Sequence, residues 1–328
     1  MTMTAPVPSF SILLTRRWPA EVEARLAERY AVTLRVPDAP MTRAELQAAL
    51  RSHDALCPTV TDTIDADLLG VDGRRVRFIA NYGVGHAHID LGACRALGIR
   101  VSNTPDVLTD ATANLAILLM LMASRRAGEG ERLLRAGRWP GWAPTQLIGG
   151  DLQGRLLGIL GFGRIGQAVA AKARAAFGMR IGFHARRRPE PPSQQAGADY
   201  FADLDALVAA ADILSIHVPG GAETRHLIDA RRLRLMKPGA ILINTARGTI
   251  VDEAALAAAL REGRLAAAGL DVYEREPAVE PALRALENAV LLPHLGSATL
   301  DTRIAMGLRV AANLDAFFDG LEPPDRVA

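Results

Sequence analysis

The stretch that most constrains this chain is Leu156-Leu157-Gly158-Ile159-Leu160-Gly161-Phe162-Gly163-Arg164-Ile165-Gly166, an apolar run that breaks into closely spaced glycines and then into a helix-forming sequence. It predicts a buried strand, a tight turn, a helix over about Arg164 to Phe177 and a second apolar strand at Met179–Phe183. Together these make a strand–helix–strand crossover of about 30 residues. In that unit Gly161 permits the tight turn, Gly163 lets a pyrophosphate approach the backbone, and Gly166 lets the helix pack close to its strand. The first amides of the helix, around Arg164 and Ile165, aim the positive end of its dipole at the phosphates. A dinucleotide is the expected ligand.

A chain of 328 residues that is 49% hydrophobic exceeds one ordinary core and suits two domains. Its 38 basic and 36 acidic residues scatter evenly, so a net charge of +2 is no footprint of nucleic-acid binding. Cys57 and Cys94 lack the spacing of metal ligands or of a disulfide framework, which fits a reducing cytoplasm. The first apolar run, Phe10 to Leu14, is strand-sized, and no export signal is expected. Ala111 to Ala123 is apolar but falls short of the roughly 20 residues that span a bilayer. It should be buried inside the protein or at a subunit interface, and no membrane partner is expected.

Residues 10 to 105 alternate short apolar runs (Phe10–Leu14, Val32–Arg35, Ala55–Pro58, Val76–Ala80, Val101–Ser102) with amphipathic ones, the pattern of an open α/β domain. Asn81-Tyr82-Gly83-Val84-Gly85 follows one of these strands, either exposing amides that hold a carboxylate or simply turning the chain. Pro105 marks a boundary, so that 1–105 with 300–328 forms one domain and 106–299 the other. Gly128 to Gly150 reads as an irregular arm whose Trp139 and Trp142 meet a partner subunit or pack on their own domain. From Leu156 onward six strands separated by helices make a doubly wound sheet. The segment Asp301 to Phe318 reads as a helix returning to the first domain.

Charged residues cluster just after the carboxyl ends of these strands, where open α/β sheets place their sites. Arg247 follows the strand Ile241–Asn244, Asp271 follows Ala266–Leu270, Glu276 lies five residues further, and His294 ends Val290–Pro293. A guanidinium binds a carboxylate through two parallel hydrogen bonds. A histidine held by a carboxylate has a defined tautomer and a raised pKa, and so delivers a proton near neutral pH. Any one of the four has a plain structural reading. Their joint placement downstream of a dinucleotide turn favours catalysis.

These residues resemble the D-isomer-specific 2-hydroxyacid dehydrogenase family, and within it the glyoxylate/hydroxypyruvate reductases. The matching runs are Gly161–Gly166, Ile243–Gly248, Gly269–Tyr273, Glu276-Pro277, Pro293–Thr299, Gly83–Gly85 and Leu108–Ala113. The resemblance implies two Rossmann-like domains about a hinged cleft, the first with the C-terminal helix binding substrate and the middle binding nucleotide. It makes His294 the acid/base, Glu276 its partner and Arg247 the substrate-orienting cation, with the amides of Val84 and Gly85 on the substrate carboxylate. Cofactor contacts would run through Gly161, Gly163, Arg164, Ile165, Gly166, Val218, Thr245, Ala246, Arg247, Asp271, His294 and Gly296. The substrate would be a small 2-oxo or 2-hydroxy acid and no metal is needed. Family members are generally two-fold dimers, and a homodimer is expected here.

Three places depart from the family pattern: Asn114 for an acidic residue, His86-Ala87-His88-Ile89-Asp90 for Asp-Asn-Ile-Asp, and Pro219-Gly220-Gly221 without a bulky residue after proline. A dinucleotide-sensing binding protein on the same fold, or formate or phosphite oxidation, would be the alternatives to 2-oxo acid reduction. For the cofactor's phosphate, the turn after Met179–Phe183 reads His184-Ala185-Arg186-Arg187-Arg188, with no acid to meet a ribose hydroxyl. The arginines suit a 2′-phosphate, so NADP is expected over NAD, a solvated basic turn being the plain alternative.

Overall fold

The computed structural model describes residues 10–186 and 197–328. The chain divides into two compact units, one of residues up to Leu108 with Ser297–Ala328, the other of Thr109–Gly296. The divisions fall three residues after and three before those placed from the sequence.

The first unit is a parallel sheet of β1 (Ser11–Leu14), β2 (Ala31–Leu34), β3 (Ala55–Cys57), β4 (Phe78–Ala80) and β5 (Arg100–Ser102), in the order β2-β1-β3-β4-β5. Helices cover both faces, so β3 and β4 are wholly buried and read as continuous apolar runs. The helix Arg43–Ser52 starts on a capping box in which Thr42 and Glu45 satisfy each other's backbone amides. The last helix, Leu300–Phe318, packs here: Phe317 stacks on Phe78 with ring centres 4.5 Å apart. At Gly307 a methyl group would lie 2.5 Å from Val22, so glycine sets how closely this helix approaches the helix Ala20–Ala27.

The second unit is a parallel sheet of β6 (Leu156–Leu160), β7 (Arg180–His184), β8 (Ala198–Tyr200), β9 (Ile213–Ile216), β10 (Ala240–Asn244), β11 (Leu265–Leu270) and β12 (Ala289–Leu291). Their order is β12-β11-β10-β9-β6-β7-β8. The order reverses between β6 and β9, so the glycine-rich turn after β6 opens at the switch point where such sheets bind ligands. Six strands were expected and seven are present among the described residues. The addition, β8, is a half-exposed edge strand of sequence Ala-Asp-Tyr with no apolar run to announce it. The arm also differs from expectation, because Ala127–Arg135 is a helix. Gly128 and Gly130 lower its intrinsic propensity by about 1 kcal/mol each, which is why it reads as a loop. None of its residues is buried. Among the described residues no helix is long and apolar enough to cross a membrane.

Candidate active site

The turn after β6 shows what each glycine does. Gly161 has φ +95°, and a methyl group on it would lie 2.7 Å from the His217 carbonyl carbon and 2.8 Å from Val218. His217 is partly buried beside Ser215, 2.8 Å from its hydroxyl, and burial lowers its pKa to about 4, so it stays neutral beneath the turn. At Gly166 a methyl would meet the Gly161 carbonyl oxygen at 2.2 Å, whereas at Gly163 it would meet nothing within 4 Å. Gly163 faces open space at the N-terminus of the helix Arg164–Phe177.

The catalytic candidates converge at the ends of β10, β11 and β12. Asn244 is buried at the end of β10, accepts from the Ala246 amide at 3.0 Å and donates to the Arg247 carbonyl at 2.9 Å, so it shapes the loop that presents Arg247. The Arg247 stem lies where a side chain at position 220 would be, with a methyl on Gly220 only 2.8 Å from Arg247 Cγ. The missing bulky residue after Pro219 thus makes room for the arginine. At Gly248 a methyl would lie 1.8 Å from the Tyr273 carbonyl carbon, so glycine lets the segment after β11 press against this loop.

That segment carries Asp271 and Glu276. Asp271 is buried and accepts from the amides of Leu295 at 2.6 Å and Gly296 at 2.8 Å, while its own carbonyl accepts from the His294 amide at 2.9 Å. These bonds hold His294 at φ +56°, a left-handed conformation few residues but glycine adopt freely. The His294 ring then donates from Nδ1 to Glu276 Oε2 at 2.8 Å, and the other Glu276 oxygen accepts from the Tyr273 amide at 3.0 Å. With Nδ1 committed, Nε2 is left to exchange a proton with a ligand. Burial works to raise the Glu276 pKa, but the hydrogen bond and charge of His294 outweigh it and the pKa is lowered. Burial raises that of Asp271 to about 6 against the pull of the amides and His294. Burial also opposes the charge of Arg247, partly offset by Glu276; a guanidinium remains protonated regardless.

In the first unit, the loop after β4 is tied down through its carbonyls. Asn81 donates from Nδ2 to the Gly83 carbonyl at 2.9 Å and the Gly85 carbonyl at 3.1 Å, and Asn103 donates to the Val84 carbonyl at 2.8 Å. Among the described residues the amides of Val84 and Gly85 have no hydrogen-bond partner. Backbone amides without a partner in the chain are donors that an anion can take up.

Residues 117–296 match the family model described as D-isomer specific 2-hydroxyacid dehydrogenase, NAD binding domain. The chain belongs to that family. It is 44% identical over 321 residues to a glyoxylate reductase of Thermococcus litoralis, covering 96% of each chain. A solved glyoxylate reductase from Paecilomyes thermophila superposes with a TM-score of 0.86 at 36% identity, covering 98% of this chain and 99% of that one. An NADPH-dependent glyoxylate/hydroxypyruvate reductase from Sinorhizobium meliloti, solved with NADP and malonate, gives 0.86 at 37% identity over 97% of this chain and 96% of that one. This protein is an NAD(P)-dependent D-2-hydroxyacid dehydrogenase.

The residues of the dehydrogenase fit a dinucleotide. The open cradle at Gly163, the Val218 side chain against Gly161, and the Thr245 hydroxyl, buried at the end of β10 with no hydrogen-bond partner, line one edge of the sheet. Ala246 and Gly296 complete the backbone there, Gly296 lying close to Thr112 and Asp271. Arg186, two residues past β7, is strongly exposed and pairs at 2.7 Å with Glu223, which arrives from the loop after β9. An acid from another strand's loop thus pairs with the arginine past β7, a neighbour that no count along the sequence reveals. Arg187 and Arg188 lie outside the described residues. Asn114 is exposed one turn after Asp110 and donates to it at 3.4 Å. Asn81, Asn103, Asn244 and Glu223 were not singled out from the sequence. An asparagine just after a predicted apolar strand was the available signal for Asn81 and Asn103, and one ending such a strand for Asn244.

Proposed function

We propose that this dehydrogenase reduces small 2-oxo acids of the glyoxylate and hydroxypyruvate type to the D-2-hydroxy acid, with NADPH preferred to NADH, as a cytoplasmic homodimer. The observation that carries the chemistry is the His294–Glu276 pair, which commits Nδ1 and leaves Nε2 for the substrate. When bound, a nicotinamide dinucleotide supplies the hydride for the C2 carbonyl. Arg247 orients the substrate and polarises that carbonyl. His294 gives its Nε2 proton to the carbonyl oxygen, and Glu276 stabilises the charged imidazole before transfer. The amides of Val84 and Gly85 are assigned to the substrate carboxylate.

The substrate class is supported by the glyoxylate reductases to which the chain is similar from end to end. The NADPH preference is supported by Arg186 and by the Sinorhizobium meliloti enzyme's NADPH dependence. A 2′-phosphate would take Arg186 from Glu223. The dimer is supported by the arm, where Leu134, Trp139, Trp142 and Ile148 are exposed, Trp142 to 82%. Such exposed apolar side chains along an arm whose helix has no buried residue suit a second copy. Light scattering at micromolar concentration should give a dimer, and a monomer alone would overturn it.

A panel of 2-oxo acids assayed with NADPH and with NADH tests the reading. Turnover of glyoxylate and hydroxypyruvate is expected; negligible turnover on every acid would favour a dinucleotide sensor. Replacing both Arg186 and Arg187 by alanine should raise the dissociation constant of NADPH, read by fluorescence titration, with that of NADH nearly unchanged. Equal rises would remove the turn from the 2′-phosphate site.

A further inference from the structure

The loop Gly83–Gly85 owes its shape to Asn81, and Asn81 in turn is held by a residue outside the loop. Asn81 is completely buried, and both hydrogens of its Nδ2 go to loop carbonyls, at 2.9 Å and 3.1 Å. Its carboxamide therefore has one allowed orientation, since rotating it would set Oδ1 against two carbonyl oxygens. That leaves Oδ1 facing His88 Nε2 at 3.0 Å, and His88 must be the donor.

His88 is itself anchored. Its carbonyl accepts from the Ile64 amide at 2.8 Å, and the Ile64 carbonyl accepts from the Asp90 amide at 2.8 Å, a short parallel bridge ahead of the helix Leu91–Ala96. A continuous line of bonds thus runs from this bridge through the imidazole and the carboxamide to the Gly83 and Gly85 carbonyls, which flank the Val84–Gly85 peptide. His88 belongs to the stretch that departs from the family's Asp-Asn-Ile-Asp pattern, so this tie is built from this chain's own residue.

We propose that His88 is a positioning residue for substrate, acting through Asn81 to keep the Val84 and Gly85 amides aimed at the carboxylate of a small 2-oxo acid. The proposal rests on the reading that this loop holds that carboxylate. Removing the Nε2 donor leaves the buried Asn81 oxygen unpaired, and the carboxamide then loosens its hold on both carbonyls. The consequence falls on substrate binding, because what His88 holds through Asn81 is the loop Gly83–Gly85.

The test uses the full-length enzyme with glyoxylate and NADPH. His88→Leu should raise the glyoxylate KM about tenfold, equivalent to about 1.4 kcal/mol, with kcat within twofold and the NADPH dissociation constant unchanged. His88→Gln, whose Nε2 lies the same number of bonds from Cα, should restore KM to within threefold of the starting enzyme. Unchanged KM in His88→Leu, or a glutamine variant no better than leucine, would overturn the proposal. Should the leucine variant fail to bind NADPH, His88→Ala takes its place with the same expectations. Asn103→Ala separates the two levels, since it frees the Val84 carbonyl without touching His88. If it raises KM while His88→Leu does not, only the role of His88 is lost. If neither moves KM, the carboxylate reading of the loop falls with it.

Discussion

The turn that carries His294 and the rim that carries Arg186 stand beyond two strands of one sheet, β12 and β7, and are held by opposite means. Around His294, buried Asp271 pins two amides, Glu276 engages the ring, and the backbone is kept in a left-handed conformation. At the rim, Arg186 and Glu223 meet as an ion pair with both side chains 80% exposed. Exposed pairs contribute about 0–1 kcal/mol and are screened by salt. The chemistry is thus placed by geometry that little can perturb, and the cofactor's phosphate would be selected by charge that one substitution or a change of salt can retune.

The largest effect expected is at the buried end of this comparison. His294→Gln keeps a side chain of similar reach but cannot deliver a proton, so kcat should fall by about 10²–10⁴-fold while NADPH still binds. A variant retaining most of its turnover would remove His294 from the proton's path.

The glycine turn sharpens the contrast within a single motif. Gly166→Ala forces a methyl to 2.2 Å from the Gly161 oxygen and should destabilise the protein by about 3 kcal/mol. Gly163→Ala meets nothing and should unfold like the starting protein, its cost appearing as weaker dinucleotide binding. Denaturant melts of the two variants decide this, and equal stabilities would show that the close approach at Gly166 relaxes freely.

Asp271 carries a pH signature. Its folded pKa, raised by burial to about 6 from an ordinary 3.8, means that the folded state favours the protonated carboxyl. This contribution is complete below about pH 4 and is lost as the pH rises through about 6. Asp271→Asn does not titrate, so its Tm relative to the starting protein should climb between pH 4 and pH 7. A Tm difference that stays flat over this range would show that the amides of Leu295 and Gly296 cancel the burial.

The smallest effect lies at the rim. Glu223→Gln frees Arg186 and should tighten NADPH roughly three- to fivefold, the span of an exposed pair, with NADH unmoved and the difference shrinking in high salt. No change in either constant would make the pair incidental to cofactor choice.

The strand–turn–helix unit, the parallel sheets and the places of Arg247, Asp271, Glu276 and His294 after strand ends were all legible, because each follows from apolar periodicity and local spacing. β8 was not, since an edge strand three residues long and half exposed leaves no apolar run. Nor was the helix Ala127–Arg135, whose glycines argue against it locally.

What the sequence determined by itself is the set of residues whose identity is demanded by their own backbone: the glycines of the turn and the order of strands and helices around them. What only the tertiary structure decided is pairing across distance. Glu223 reaches Arg186 from 37 residues away, Asp271 fixes the turn of His294 from a different strand, and Asn81 receives its proton donor from His88 beyond the loop it shapes. Hydrogen bonds and charges act through space over a few ångströms, and which residues come that close is set by strand order and register, which no local stretch of sequence contains.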